Sequence, residues 1–159
     1  MKRIYQIVIL LFISTCLFAQ VAPDFSITDT DGNVINLYED LLDQDKIVVI
    51  KMFFVACPLC KPYNEPFQEL YEEFGEGAED VEFLLLTTKT WDSNAQIADY
   101  KIQYNLSFPG SGNDGGGFAA TAPYRSGDFG TFFGAPSFIV IEPNRTTFRC
   151  RWRWCRSDN

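Results

Sequence analysis

The chain has 159 residues, of which 47% are hydrophobic and 21% are charged, a composition typical of one ordinary globular domain. Its formal net charge of -8, from 21 acidic and 13 basic residues, argues against nucleic acid or an anionic membrane as the partner. The chain contains no histidine, which excludes hydrolases of the Ser-His-Asp or Cys-His type.

The first 19 residues differ from the rest of the chain. Two basic residues at positions 2 and 3 precede an uninterrupted apolar run over 7–13, which is short for a membrane-spanning helix, and Ala19 is a small residue suited to cleavage. This layout predicts a secretory signal peptide over residues 1–19, with an uncleaved membrane anchor over residues 4–18 as the alternative. We therefore expect a periplasmic or secreted protein whose single domain spans residues 20–159.

The first half of this domain contains three predicted elements. Alternating apolar residues on both sides of Asp31-Gly32 predict a small β-hairpin. After a polar connection over 39–45, the apolar run 47–55 predicts a strand buried on both faces, as in the centre of a parallel sheet. Apolar residues at helical spacing over 67–74 predict a helix after that strand.

The second half continues the alternation of strands and helices. A buried strand is predicted over 81–87, and Asp92 or Ser93 can cap a helix that carries apolar residues from Ile97 to Tyr104. A third apolar run over 137–141 ends at a turn, and 146–154 is predicted to return beside it as an antiparallel strand. The series predicts an α/β fold in which helices cover a sheet.

The segment 110–134 fits neither the helical nor the strand period. It holds eight of the eleven glycines of the chain together with five aromatic residues. So many aromatic residues argue against a disordered linker, and a loop of this length is more often functional than not. We expect it to form a functional loop that leads into Ala135-Pro136.

Cys57 and Cys60 stand where the first buried strand gives way to the helix. A thiol in the first turn of a helix is favoured as thiolate by the helix dipole and by unpaired backbone N–H groups. A second thiol one turn away can resolve a mixed disulfide formed by the first. If Cys16 leaves with the signal peptide, Cys150 and Cys155 also remain, which is compatible with one redox-active and one structural disulfide.

With this order of elements, the chain resembles the thioredoxin-fold disulfide oxidoreductases, and more closely the exported TlpA-like and ResA-like branch that is related to the AhpC/TSA redoxins. The resemblance covers roughly residues 20–148 and implies a central mixed β-sheet flanked by helices, with an N-terminal β-hairpin. The segments that carry it are Ala22-Pro23-Asp24-Phe25, Cys57-Pro58-Leu59-Cys60, Phe108-Pro109 and Gly134-Ala135-Pro136-Ser137-Phe138.

The resemblance also implies a function, the reduction or exchange of disulfides in exported proteins. Cys57, expected to be the more exposed cysteine, would be the attacking thiolate, and Cys60 would resolve the mixed disulfide. Pro136 matches the cis-proline of the family, and Ala135 before it would hydrogen-bond a substrate chain. The expected partners are exported protein thiols and disulfides and an unidentified electron donor, and no cofactor beyond the Cys57–Cys60 disulfide is expected.

Four features depart from the family. Ala56 stands where a tryptophan usually precedes the first cysteine. Lys51 stands where thioredoxins carry a buried aspartate, and it would either favour the thiolate from a buried position or reach solvent along the sheet edge. Pro66 stands one position later than the helix proline of the family and Pro62 is an additional proline, which together predict a distorted helix start. Residues 149–159 form an atypical Arg, Trp and Cys tail in place of the usual last helix.

Three other interpretations stay open. One is a binding module in which the Cys57–Cys60 disulfide is structural and the 110–134 loop recognises a partner. Another is a peroxiredoxin-like peroxidase, although Ile50 and Phe54 occupy the proline and threonine positions of the Pro-x-x-x-Thr-x-x-Cys pattern. The third is a structural zinc site built from all four cysteines of the domain.

Overall fold

The structure is a computed structural model that describes residues 20–150, the side chain of Cys150 excepted. It begins with a hairpin of β1 (Ser26–Thr28) and β2 (Val34–Asn36), which pair antiparallel. In the turn, Gly32 has a φ of 87°, which a residue without a Cβ adopts at little cost. The Asp29 carboxylate accepts a hydrogen bond from the Asn33 N–H at 2.8 Å. The predicted hairpin is confirmed.

A five-stranded sheet forms the centre of the domain. Its strands are β3 (Ile47–Phe53), β4 (Val81–Thr87), β5 (Gly110–Ser111), β6 (Ser137–Ile141) and β7 (Thr147–Cys150), arranged in the order β5-β4-β3-β6-β7. The neighbours β3, β4 and β5 are parallel, whereas β6 and β7 are antiparallel to their neighbours. The sheet is therefore mixed, as predicted, and β3 lies at its centre because its apolar side chains can be buried on both faces.

Helices and helical turns fill the connections between the strands. They are a π-helical turn (Leu37–Leu41), 3₁₀ turns (Leu42–Gln44 and Lys61–Tyr63), and the helices α1 (Asn64–Glu73), α2 (Asn94–Tyr104), α3 (Gly117–Ala120) and α4 (Ala122–Ser126). Ser93, rather than Asp92, caps α2, and it forms a capping box with Gln96. The predicted connection over 39–45 forms helical turns, because its apolar pair, Leu41 and Leu42, is buried in the first of the two hydrophobic cores.

Each face of the sheet has its own hydrophobic core, because successive residues of a strand point to opposite sides. The first core lies under Val48, Ile50 and Met52 of β3. The second core lies under Phe53, and α1 and α2 cover it. Lys51 alternates with Ile50 and Met52, so its side chain points to the same face as Phe53.

The segment 110–134 is not the loop predicted from the sequence. It contains β5, α3 and α4, which are too short to show a period, and its Tyr124 is buried in the first core. Glycine lets the backbone pack closely here: a Cβ on Gly117 would lie 2.1 Å from the backbone oxygen of Ser111. The segment covers one face of the sheet.

Parts of the predicted organisation lie outside the described residues. These are the signal peptide over 1–19, the alternative anchor over 4–18, and the end of the tail with Cys155. The predicted returning strand is confirmed up to the end of β7. Within residues 20–150, no helix has the length and apolar character needed to span a bilayer.

The close packing of Gly117 leads to a stability prediction. Gly117→Ala should lower the free energy of unfolding by about 1–3 kcal/mol, since the new methyl group meets backbone that cannot rotate away. Gly127→Asn is the control, because Gly127 has open space and a φ of 104° that asparagine tolerates better than most residues. Urea unfolding measures both, and equal losses would contradict this account of the segment.

Candidate active site

The two cysteines of the motif are joined by a disulfide directly after β3. The Cα atoms of Cys57 and Cys60 are 5.4 Å apart. The Cys57 N–H donates to the Phe54 carbonyl at 3.0 Å, and the Cys60 N–H donates to the Cys57 carbonyl at 3.3 Å. These turns place the sulfur atoms where the chain enters the helical segment.

The expectation that Cys57 is the more exposed cysteine is not met. Cys57 is 1% exposed and Cys60 is 0% exposed, because both pack into the second core. The residues around Cys57 are open to solvent instead, and Leu59 is 68% exposed. The disulfide therefore lies just beneath the exposed residues of the motif loop.

The helix after the cysteines has the irregular start predicted from its prolines. A 3₁₀ turn over Lys61–Tyr63 precedes α1, with Pro62 inside this turn and Pro66 near the N-terminus of α1. Proline lacks an N–H group, and only the first turn of a helix tolerates this without losing a hydrogen bond. The cysteine pair is therefore followed by a tighter turn before the regular helix.

Ala135 and Pro136 lie directly beside Cys57. The peptide bond between them is cis, and the Ala135 carbonyl oxygen is 3.7 Å from Cys57 Sγ. The Ala135 N–H makes no hydrogen bond to any residue within 20–150. The structure thus brings the predicted substrate-binding backbone next to the predicted attacking sulfur.

Lys51 is buried and does not reach solvent along the sheet edge. It is 0% exposed in the central strand, between Leu85 of β4 and Phe138 of β6. Its Nζ donates to Asn64 Oδ1 at 2.6 Å and lies 5.4 Å from the centre of the Phe67 ring. Burial lowers the pKa of Lys51 to about 7, because the charged form loses its hydration.

Asn64 and Tyr100 are site residues that the sequence analysis missed. The Asn64 Nδ2 donates to the Tyr100 hydroxyl at 2.8 Å, so Lys51, Asn64 and Tyr100 form one buried network. Asn64 follows Cys60 by four residues, a spacing that places both on one side of a helix. That spacing could have identified Asn64, whereas Tyr100 resembled an ordinary apolar helix position.

The network contains no carboxylate. The two ion pairs among residues 20–150 use Lys101 with Asp31 and Arg145 with Asp43. Lys101, which is also buried, has both the Asp31 carboxylate and the Thr30 hydroxyl as partners. Lys51 has a neutral amide and an aromatic ring instead, so its ammonium form is less well compensated.

Asp92 fixes the loop that precedes the cysteines. Its buried carboxylate oxygen Oδ2 accepts hydrogen bonds from the Val55 N–H at 3.0 Å and from the Thr87 hydroxyl at 2.7 Å. These contacts connect the end of β4 to the chain two residues before Cys57. Asp92 is therefore a positioning residue for the motif loop.

The described residues show no group of three histidine, cysteine or acidic side chains arranged to hold a metal ion. Cys57 and Cys60 are bonded to each other here, and a disulfide does not supply the thiolates that zinc binds. Of the other two cysteines of the predicted zinc site, Cys155 lies outside the described residues, and Cys150 is described only by its backbone in β7. Their pairing stays a prediction.

Comparison with known proteins gives a family and a fold. The family model of the AhpC/TSA family matches residues 18–147. No curated protein sequence matches the chain. The solved structures that are similar to this chain include three bacterial disulfide oxidoreductases.

A thiol-disulfide oxidoreductase from Bacteroides fragilis is 14% identical, with a TM-score of 0.64 over 82% of this chain and 89% of the other. The thioredoxin domain of a thiol-disulfide oxidoreductase from Bacteroides vulgatus is 16% identical, with a TM-score of 0.63 over 82% and 85%. A secreted Mycobacterium tuberculosis disulfide oxidoreductase, homologous to E. coli DsbE, is 17% identical, with a TM-score of 0.61 over 79% and 81%. These similarities confirm the predicted thioredoxin-like fold.

The buried amine leads to a prediction about stability and pH. Between pH 7 and the ordinary lysine pKa of about 10.4, the unfolded chain holds a proton on Lys51 that the folded chain has lost. The stability of the wild type should therefore rise with pH relative to Lys51→Met, by about 1.4 kcal/mol per pH unit between pH 7 and 9. Urea unfolding of the oxidised proteins measures this difference.

A non-titrating substitution on the neighbouring strand, Leu85→Met, serves as the control for this measurement. Its stability should change with pH in parallel with that of the wild type. A difference between wild type and Lys51→Met that stays constant from pH 7 to pH 9 would show that the Lys51 amine keeps its ordinary pKa.

Proposed function

The chain belongs to the AhpC/TSA family, and from this membership and the geometry of its cysteine pair we propose that it is a thiol-disulfide oxidoreductase that reduces or exchanges disulfides in exported proteins. The observation that carries the proposal is the Cys57–Cys60 disulfide at the start of a helix, with Cys57 Sγ 3.7 Å from the Ala135 carbonyl oxygen. A redox-active pair needs two sulfurs that can bond to each other and a backbone surface for a substrate, and both are present.

The proposed reaction begins with the reduced protein. The Cys57 thiolate attacks one sulfur of a substrate disulfide, so that the substrate S–S bond breaks and a mixed disulfide forms. The departing substrate thiolate takes up a proton. Cys60 then loses its proton and attacks Cys57 Sγ, which releases the second substrate thiolate and leaves the Cys57–Cys60 disulfide. Two electrons pass to the substrate, and a dithiol donor returns them to the protein.

Ala135 and Pro136 are proposed to bind the substrate chain. The Ala135 N–H makes no hydrogen bond within residues 20–150, and its carbonyl lies beside Cys57 Sγ. An extended peptide can pair with such a backbone segment as an added strand. This pairing would hold the substrate sulfur in line with Cys57.

Lys51 is proposed to favour the thiolate form of the cysteines. It points to the same face of the sheet as the core that holds both sulfurs, and Asn64 connects its amine to the helix that follows Cys60. An ammonium group in a poorly hydrated region attracts a thiolate more strongly than it would in water. With a pKa of about 7, Lys51 loses this charge as the pH rises through neutrality.

Two other functions were open from the sequence. The family also contains peroxidases, but the peroxidatic pattern is absent, because Ile50 and Phe54 stand at its proline and threonine positions. Disulfide exchange is therefore favoured over peroxide reduction. A binding module with a permanent disulfide would keep the Cys57–Cys60 bond in dithiothreitol, whereas the proposed enzyme would lose it.

The proposed location is outside the cytoplasm, with residues 1–19 as a cleaved signal peptide and residues 20–159 as the mature domain. The support is the basic and apolar layout of the first 19 residues. We also propose a structural disulfide between Cys150 and Cys155, because unpaired thiols of exported proteins tend to pair.

Replacement of each cysteine by serine should block a different step of the reaction. Cys57→Ser should reduce insulin disulfide reduction to the rate of the uncatalysed control, because the attacking sulfur is gone. Cys60→Ser should also lose turnover, but it should accumulate a mixed disulfide with the substrate that mass spectrometry detects under non-reducing conditions. Full activity of Cys57→Ser would refute the proposed enzyme.

Processing of the N-terminus can be tested separately. Expression of the full chain in a bacterium with a secretory pathway should give a periplasmic or secreted product that begins at Gln20, as measured by intact mass. Replacing the basic residues at positions 2 and 3 by glutamate should retain the precursor in the cytoplasm. A cytoplasmic wild-type protein that keeps its first residue would contradict the assignment.

A further inference from the structure

A lysine lies between two aromatic rings beside the loop that carries Cys57. Lys89 Nζ is 5.4 Å from the centre of the Phe54 ring and 5.1 Å from the centre of the Trp91 ring. Trp91 is 65% exposed, and Lys89 is half-buried. We call these three residues, Phe54, Lys89 and Trp91, the cationic shelf.

Hydrogen bonds fix the cationic shelf to the motif loop. The Lys89 N–H donates to the Thr87 hydroxyl at 3.1 Å, and that hydroxyl donates to the Asp92 carboxylate. The same carboxylate accepts the Val55 N–H, two residues before Cys57. The position of Lys89 relative to the disulfide is therefore set by the fold and does not depend on a free surface loop.

The charge of Lys89 is not neutralised by a neighbouring acid. The ion pairs within the described residues use other cations, although the chain has 21 acidic residues against 13 basic ones. The nearest acid along the chain, Asp92, is directed inward and accepts hydrogen bonds from Val55 and Thr87. A half-buried cation with rings on two sides still has N–H donors for an anion.

Two exposed apolar side chains stand close to the site along the chain. Phe133, two residues before Ala135, is 74% exposed, and Leu59 within the motif is 68% exposed. A chain that pairs with the backbone of Ala135 would therefore meet apolar side chains, and the cation of Lys89 lies against Phe54 in the loop that leads to Cys57. This surface fits an apolar peptide segment that carries one negative charge near its cysteine.

We propose that the cationic shelf selects substrates, and that the preferred disulfide has a glutamate or aspartate next to the attacked cysteine within an otherwise apolar segment. The inference rests on the proposed disulfide exchange, because it assigns a substrate class to the same site. Lys89 would contact the substrate carboxylate, while Phe54 and Trp91 hold the ammonium group in place.

The test uses two peptides, each linked through its one cysteine to a fluorescent thiol. They differ only in the residue next to the cysteine, which is glutamate in one and glutamine in the other. Reduced full-length protein is mixed with each peptide, and the release of the fluorescent thiol gives a single-turnover rate. At low ionic strength, the wild type should react on the order of fivefold faster with the glutamate peptide, the size expected of a partly exposed charge pair.

The ratio of the two rates is compared across variants, which makes the result independent of the amount of active protein. Lys89→Met should bring the ratio to one, and Lys89→Arg should keep it, because arginine retains the charge and stacks on aromatic rings. Lys61→Met is the matched control: it removes a cation next to Cys60 that is outside the shelf, and should keep the preference. Added salt should reduce the wild-type ratio.

Two failures can be told apart. If the wild type reacts with both peptides at equal rates, or if Lys89→Met keeps the preference, substrate selection by Lys89 is refuted and the proposed enzyme stands. If the wild type releases no thiol from either peptide, the proposed function is refuted, and the inference is refuted with it.

Discussion

The packing of Phe67 against the sheet is the contact on which the geometry of the candidate site depends. Its ring lies 5.0 Å from the rings of both Phe83 and Phe108 and 5.6 Å from that of Phe138. These aromatic contacts fix the rotation and depth of α1 on the second face of the sheet. Because Cys60 and Asn64 precede Phe67 on the same helical segment, the position of this one ring also sets the positions of the second sulfur and of the amide that binds Lys51.

Burial of Lys51 is unfavourable in itself, and the surrounding contacts reduce this cost only in part. The amine has the Asn64 oxygen as acceptor and the face of the Phe67 ring, and neither is charged. A buried aliphatic side chain would pack at this position without a desolvation penalty. The lysine therefore makes the domain less stable at neutral pH. It also places a titrating group on the face of the sheet that holds the sulfurs. A buried group with a shifted pKa is more common at functional sites than in structural cores.

The sequence was sufficient to predict those elements whose apolar pattern extends over several residues. The strands at 47–53 and 81–87 are continuous apolar runs, and α2 has a capping serine, so each was predicted with its type and nearly its bounds. The prediction of a loop over 110–134 was wrong because the helices there have four and five residues, fewer than two turns, and show no period. The glycines of this segment allow close packing, which only the tertiary structure reveals. Two positions stayed open for Lys51, because the apolar run predicts a central strand but does not show whether the amine at the end of a long side chain is buried or reaches solvent. The spacing from Cys60 could have identified Asn64, whereas Tyr100 and the shelf around Lys89 became visible only when separate parts of the chain were brought together.

The charged groups of the domain differ in how fully their neighbours compensate the charge. This difference distinguishes the residues that hold the structure in place from those that can act on a substrate or a thiolate. The carboxylate of Asp29 accepts hydrogen bonds from the backbone of Asp31 and Asn33, and that of Asp92 accepts them from Val55 and Thr87. Both acids hold turns in place through these hydrogen bonds. Lys51 and Lys89 form no ion pair within the described residues: Lys51 is buried on the face of the sheet that holds the sulfurs, and Lys89 is half-buried against the Phe54 and Trp91 rings. Positive charge left uncompensated at both depths suits a reaction in which a thiolate must form inside and an anionic substrate must approach from outside.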